Sequence, residues 1–187
     1  MLKSAPRLSR VPRSQASPAV ADIYDRYMRT RGNVPNMFRT MAHRPEIFET
    51  MIAHFEAILQ TGTVPLRLKE LAILRTSQLN QCEYCLASHT QIARRLGWSQ
   101  EQIDGLAGFE SRDDFTAAEK ATLRLAEQMT LHSTRIPDAE FDSLRQHFSE
   151  GEIVELLAAI GLFNYFNRFN NALQMEPTKP GEGADEN

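Results

Sequence analysis

Both cysteines of this chain stand three residues apart, in Gln81-Cys82-Glu83-Tyr84-Cys85-Leu86-Ala87-Ser88-His89. On a helix, positions i, i+3 and i+7 share a face, so Cys82, Cys85 and His89 are expected to point the same way. Ile92 and Leu96 continue that stripe and are apolar, which turns the thiols and the imidazole toward the core. A thiolate is the nucleophile in thiol chemistry, and an unperturbed thiol is mostly protonated at neutral pH. Two features favour the anion here. The thiols fall in the first turn of the predicted helix, where free amides and the dipole attract negative charge. An imidazole one turn from Cys85 can accept its proton.

Two thiols at this spacing can also close into a disulfide, which makes a peroxide cycle self-contained. One thiolate attacks an O–O bond and becomes a sulfenic acid, the other condenses on it, and an external dithiol reopens the ring. Glu70 lies on a stripe with Leu66, Ile73 and Ser77, so its carboxylate is expected to point inward. A buried acid needs a partner there, and His89 or a thiol proton would serve. Blander readings compete: the cysteines as small core hydrophobes, and Glu70 as an exposed residue beside Lys69. Zinc held by C-x-x-C-x-x-x-H is disfavoured, because a continuous helix spreads Cys82 and His89 over about 10 Å of axis. No second ligand pair stands elsewhere, His43, His54, His132 and His147 being scattered. No metal or cofactor is therefore expected. The residues leave the order of attack open: nearness to His89 favours Cys85, and the helix-end position favours Cys82.

The elements that must hold these groups read as helices. Ser17-Pro18 makes a cap and first-turn pair, and Gly32 can close that helix. Pro35 opens a short turn. Ile47, Phe48, Met51, Ile52, Phe55, Ile58 and Leu59 form an apolar stripe from Pro45 to Gln60, ended by Gly62. Pro65 opens a helix through Leu79, and Cys82 to Leu96 forms another, stopped by Gly97. Ser99 with Gln102, Thr116 with Glu119 and Ser149 with Glu152 are capping boxes, starting helices near 100–106, 117–132 and 150–173, with one more near 138–148. No alternating run of strand length survives, so the fold class is all-α, a compact domain of about eight helices over 18–175. The spacing Glu70, Cys82, Cys85 recurs as Glu155, Asn167, Asn170, as a second helical hairpin or chance would produce. Phe163, Tyr165, Phe166 and Phe169 suit a core or a subunit interface.

The pattern Glu70, eleven residues, Cys82-Glu83-Tyr84-Cys85, three residues, His89 resembles the alkylhydroperoxidase D-like proteins of the carboxymuconolactone decarboxylase family. The match is strongest over 66–100. The resemblance implies an all-α homo-oligomer of dimers, trimers or hexamers, with a redox-active cysteine pair reducing a small hydroperoxide. It implies a lipoyl- or thioredoxin-like dithiol as reductant, in some members on behalf of a peroxiredoxin. Carried over by position, Cys85 would attack the peroxide, Cys82 would resolve and exchange, and His89 with Glu70 would relay protons. The best-known hydroperoxidases carry a further histidine where this chain has Tyr84. Decarboxylases of the family generally lack the cysteine pair, which argues against lactone decarboxylation. The other readings are a redox-sensing or structural oligomer without catalysis, or a lactone- or quinone-type substrate.

Composition sets the outer bounds. With 187 residues, 42% of them hydrophobic, the chain can bury a real core. A net charge of −3 gives no case for duplex-wide phosphate binding, so no nucleic acid partner is expected. No apolar run is long enough to span a membrane. Two cysteines make no disulfide scaffold and no apolar signal core follows Met1, which points to the cytoplasm. Residues 1–17, with Lys3, Arg7, Arg10 and Arg13 and no acid, read as an extended basic arm, and residues 176–187 as an acidic flexible tail.

Overall fold

A computed structural model describes residues 6–132 and 134–183. The first five residues of the arm and the last four of the tail lie outside the described residues. Among those described, nine α-helices form and no strand element does: α1 (Pro18–Arg31), α2 (Asn36–Met41), α3 (Pro45–Gln60), α4 (Leu66–Leu79), α5 (Glu83–Arg95), α6 (Gln100–Asp104), α7 (Ala117–Leu131), α8 (Asp138–Arg145) and α9 (Glu150–Leu173). The chain divides into two compact units, 1–55 with 169–187, and 56–168, the cuts falling inside α3 and α9.

In the first unit, Ser17 caps α1 by accepting the Val20 amide, Pro18 occupies the first turn, and Gly32 ends the helix at φ 76. Its core is aromatic: Tyr27 meets Phe38 edge-on at 4.9 Å between ring centroids, and Phe38 also packs on Phe48 at 5.5 Å. Described residues of the arm and of the tail meet here. Arg10 binds Glu182 at 2.7 Å and Glu176 at 3.0 Å, while Asn36 donates to Glu182 and to the Glu176 carbonyl. Residues 176–183, part of the stretch read as a flexible tail, thus carry ionic and amide contacts to the arm and to α2.

The second unit is built on α4, which packs against α5 and α7. One apolar cluster gathers Ala72, Leu125, Leu144, Leu156 and Ile160, and another Leu71, Leu74, Ala93, Leu106 and Leu123 around Trp98. The Trp98 indole donates to the Arg67 carbonyl at 2.9 Å, and the Arg67 guanidinium lies over its ring. Because α4 is enclosed on both sides, even Lys69 is 2% exposed. Its ammonium donates to the Ile58 carbonyl at 2.6 Å and the Thr61 carbonyl at 3.2 Å, closing the end of α3, and pairs with Glu155. The other oxygen of Glu155 accepts the amides of Thr63 and Val64. Gly62 turns beside that carboxylate at φ 93, and a Cβ there would collide with it.

Gly62→Ala should therefore lower unfolding free energy by about 1–3 kcal/mol, from the left-handed backbone and the displaced carboxylate together. Thermal melting checks this; an unchanged melting temperature would mean the loop and Glu155 move apart without cost.

Candidate active site

The turn that ends α4 delivers the first sulfur. The Asn80 amide bonds the Thr76 carbonyl at 3.0 Å, Gln81 enters the left-handed region at φ 53, and the Cys82 amide closes on the Ser77 carbonyl at 2.9 Å. Helices usually place glycine at such a position. A side chain there costs roughly 1–2 kcal/mol.

Cys82 is the N-cap of α5, with φ −90 and ψ 93, and its sulfur accepts the Cys85 amide at 3.4 Å. The i, i+3, i+7 spacing predicts Cys82 inside the helix. It stands just before it, so its side chain is directed by capping rather than by helical period. Cys85 occupies the third helical position, and both residues are free thiols. Cys82 is fully enclosed and Cys85 is 4% exposed. Burial alone would push a thiol upward, yet the Cys82 thiol is drawn down from 9.0 to about 7. The hydrogen bond from the Cys85 side chain is the largest cause. Burial opposes it, and the Cys85 amide, the Asn167 side chain and the Tyr84 amide assist.

On the adjoining turns of α4 and α5, Glu70 and His89 form a second pair. His89 Nδ1 lies 2.8 Å from Glu70 Oε2, both residues being buried. With the carboxylate ionised, Nδ1 carries the proton given to Glu70, and Nε2 keeps a lone pair able to take another. Phe163 meets the imidazole edge-on at 4.7 Å and 87°, restricting its rotation. The inward reading of Glu70 agrees with the structure; the picture of it as an exposed residue beside Lys69 does not, since both are enclosed. All four expected residues thus belong to the α4–α5 pair, as two hydrogen-bonded couples, with Cys85 and His89 one turn apart on α5.

Asn167 and Phe163, both on α9, carry no sequence signal that assigns them to the site. The spacing echo does point at Asn167, but not through the hairpin it suggests. Residues 150–173 form one unbroken helix, so no second hairpin exists there. Two of the echoed residues instead pack against α4, Glu155 on Lys69 and Asn167 on Ser77.

The profile of the carboxymuconolactone decarboxylase family matches residues 45–128. Over 130 residues the chain is 32% identical to the protein YdfG of Bacillus subtilis, spanning 69% of this chain and 88% of YdfG. This chain belongs to the carboxymuconolactone decarboxylase family. A peroxidase-related protein of Ralstonia eutropha JMP134 with an alkylhydroperoxidase AhpD core superposes with a TM-score of 0.85 at 26% identity, over 94% of both chains. Within the family the fold is therefore of the AhpD type. The debrominase Bmp8 shares that fold, with a TM-score of 0.78 at 24% identity over 92% of both chains. Among the described residues no helix is long and apolar enough to cross a membrane.

Replacing Cys85 by Ala removes the largest cause of the lowered Cys82 pKa. The midpoint of Cys82 alkylation against pH should then rise from about 7 toward 9.0; an unmoved midpoint would deny the sulfur–sulfur hydrogen bond its role. Linkage gives a second readout. Folding depresses this pKa, so the thiolate's contribution to stability is complete above the unfolded value near 9.0 and is lost as pH falls through about 7. The stability difference between native protein and Cys82→Ala should accordingly grow from pH 7 to pH 9.

Proposed function

We propose that this protein is a dithiol-dependent hydroperoxide reductase. The observation that carries the reading is the Cys82 thiol, drawn down to about 7 by Cys85 while a hydrogen-bonded Glu70–His89 pair stands one turn further along α5. Cys85, the less enclosed sulfur and the one nearer the imidazole in sequence, meets the peroxide. Its proton passes to His89, its sulfur attacks the outer oxygen, the O–O bond breaks, and the alkoxide leaving group takes a proton from the imidazolium. Cys85 is then a sulfenic acid. The Cys82 thiolate attacks that sulfur, the S–O bond breaks, and hydroxide leaves as water after protonation. The sum is two thiols and one hydroperoxide going to one disulfide, one alcohol and one water. An external dithiol of the lipoyl or thioredoxin type restores the pair by exchange.

The Glu70 carboxylate positions the base, holding His89 in the tautomer that leaves Nε2 free and stabilising the imidazolium once it forms. Tyr84, between the cysteines, is buried and brings no second imidazole to the relay. Self-association belongs to the same proposal, supported by Val154 and Tyr165, which face outward from α9 at 64% and 44% exposure.

Cys82→Ser and Cys85→Ser should each reduce turnover with an organic hydroperoxide and dihydrolipoamide to background. Wild-type turnover in either variant would overturn the dithiol cycle, and disulfide formation without turnover with any dithiol donor would make the pair a sensor. Glu70→Gln should lower kcat by about a hundredfold, the scale of general acid–base assistance, with little change in melting temperature. A parallel fall in stability would mark Glu70 as a structural acid instead.

A further inference from the structure

One face of α9 is turned away from the core. Gly151, Val154, Gly161, Tyr165 and Arg168 are exposed along it, and Ala158 is half-buried. These six positions are spaced alternately three and four apart, the heptad seam by which one helix packs along another. Another face of α9 already builds the core: Ile153, Leu156 and Ile160 lie in an apolar cluster with Leu125 and Leu144. The outward seam is a second one.

Gly161 is the residue the chain itself does not explain. It stands inside a 24-residue helix, where glycine is the poorest former after proline. Its backbone is ordinary helix, and a Cβ added there would meet no described atom within 4 Å. Neither a special φ nor close packing in its own subunit therefore asks for glycine. A missing side chain at an exposed seam position serves a helix that approaches from outside, because axes come closest where the contact residues are small.

The pattern also selects the partner, since the seam is complementary to itself when reversed. Run antiparallel about the point midway between Ala158 and Gly161, each of these two falls opposite the other in the second copy. Val154 then meets the partner's Tyr165, a small apolar knob against a large ring. Arg168 meets the partner's Gly151, which leaves room for its guanidinium beside the exposed carboxylate of the partner's Glu150. A parallel pair would instead set Arg168 against Arg168 and Glu150 against Glu150, like charge on like. We propose that α9 pairs antiparallel with α9 of a second copy of this chain, with the Ala158–Gly161 layer as the point of closest approach. The assignment rests on the self-association advanced above and gives it a face and a direction.

The test is sedimentation and light scattering of the full-length protein across a range of concentration, with circular dichroism to confirm folding. Gly161→Leu places a strong helix former where its own chain leaves open space, so the helix should persist. The dissociation constant of the pair should nevertheless rise on the order of tenfold or more, the cost of overfilling a close contact. Direction is read by cross-linking in a Cys82→Ser, Cys85→Ser background. A mixture of Val154→Cys and Tyr165→Cys proteins should form a mixed disulfide under mild oxidation, while neither protein alone does. Should Gly161→Leu fail to fold, the cross-link decides the matter. A native protein that associates while folded Gly161→Leu associates just as tightly would overturn the α9 pairing and leave self-association standing. Either cysteine variant bridging to itself in preference to the other would overturn the antiparallel direction. A native protein that stays monomeric would remove both the pairing and self-association. None of these readouts uses a peroxide, so turnover decides the peroxidase reading separately.

Discussion

Cys85 and His89 take their places on α5 from a sulfur standing where a helix normally begins with an oxygen. Serine, threonine, aspartate and asparagine cap helices because a side-chain oxygen can accept an amide of the first turn. In this chain the Cys82 sulfur does so for α5. A thiol is a weak acceptor and a thiolate a strong one, so the start of this helix and the charge on this sulfur support each other. That cap places Cys85 at the third helical position and His89 one turn later, facing Glu70 on α4. The left-handed turn at Gln81 is the local strain that makes the geometry possible.

The balance of effects at Cys82 can be judged by size. Complete enclosure favours the neutral thiol, yet the balance draws its pKa down to about 7. A drop from 9.0 to about 7 corresponds to roughly 3 kcal/mol in favour of the charged form. Hydrogen bonds to a charged group contribute about 1.5–3 kcal/mol each, so the several donors around the sulfur are enough to offset desolvation. The scaffold meets a similar demand one residue before Glu70. Lys69 is as deeply placed, and it is tolerated because two carbonyls and Glu155 satisfy its ammonium.

Helix content and most boundaries were legible because their signals are local. Ser99 with Gln102 and Thr116 with Glu119 form reciprocal capping boxes, as their spacing predicts. The inward side of Glu70 was legible from its stripe on α4, and the neighbourhood of Cys85 and His89 from their i, i+4 spacing on α5. What escaped was decided by tertiary enclosure. Lys69 looks like a solvated neighbour of Glu70 until α4 is seen to be covered on both sides. Cys82 looks helical until the turn at Gln81 sets it outside. Asn167 reaches Ser77 across 90 positions of chain, and Arg10 reaches Glu182 across 172, separations that no local pattern encodes. Fold membership does not name the activity either, since an AhpD core and a debrominase share this architecture.

The most direct test is the intact mass of the fully reduced protein after a single equivalent of organic hydroperoxide. A loss of two hydrogens is expected, with Cys82 and Cys85 recovered as one bridged peptide. A gain of oxygen on one cysteine with the other still a free thiol, or no change in mass, would contradict the dithiol cycle.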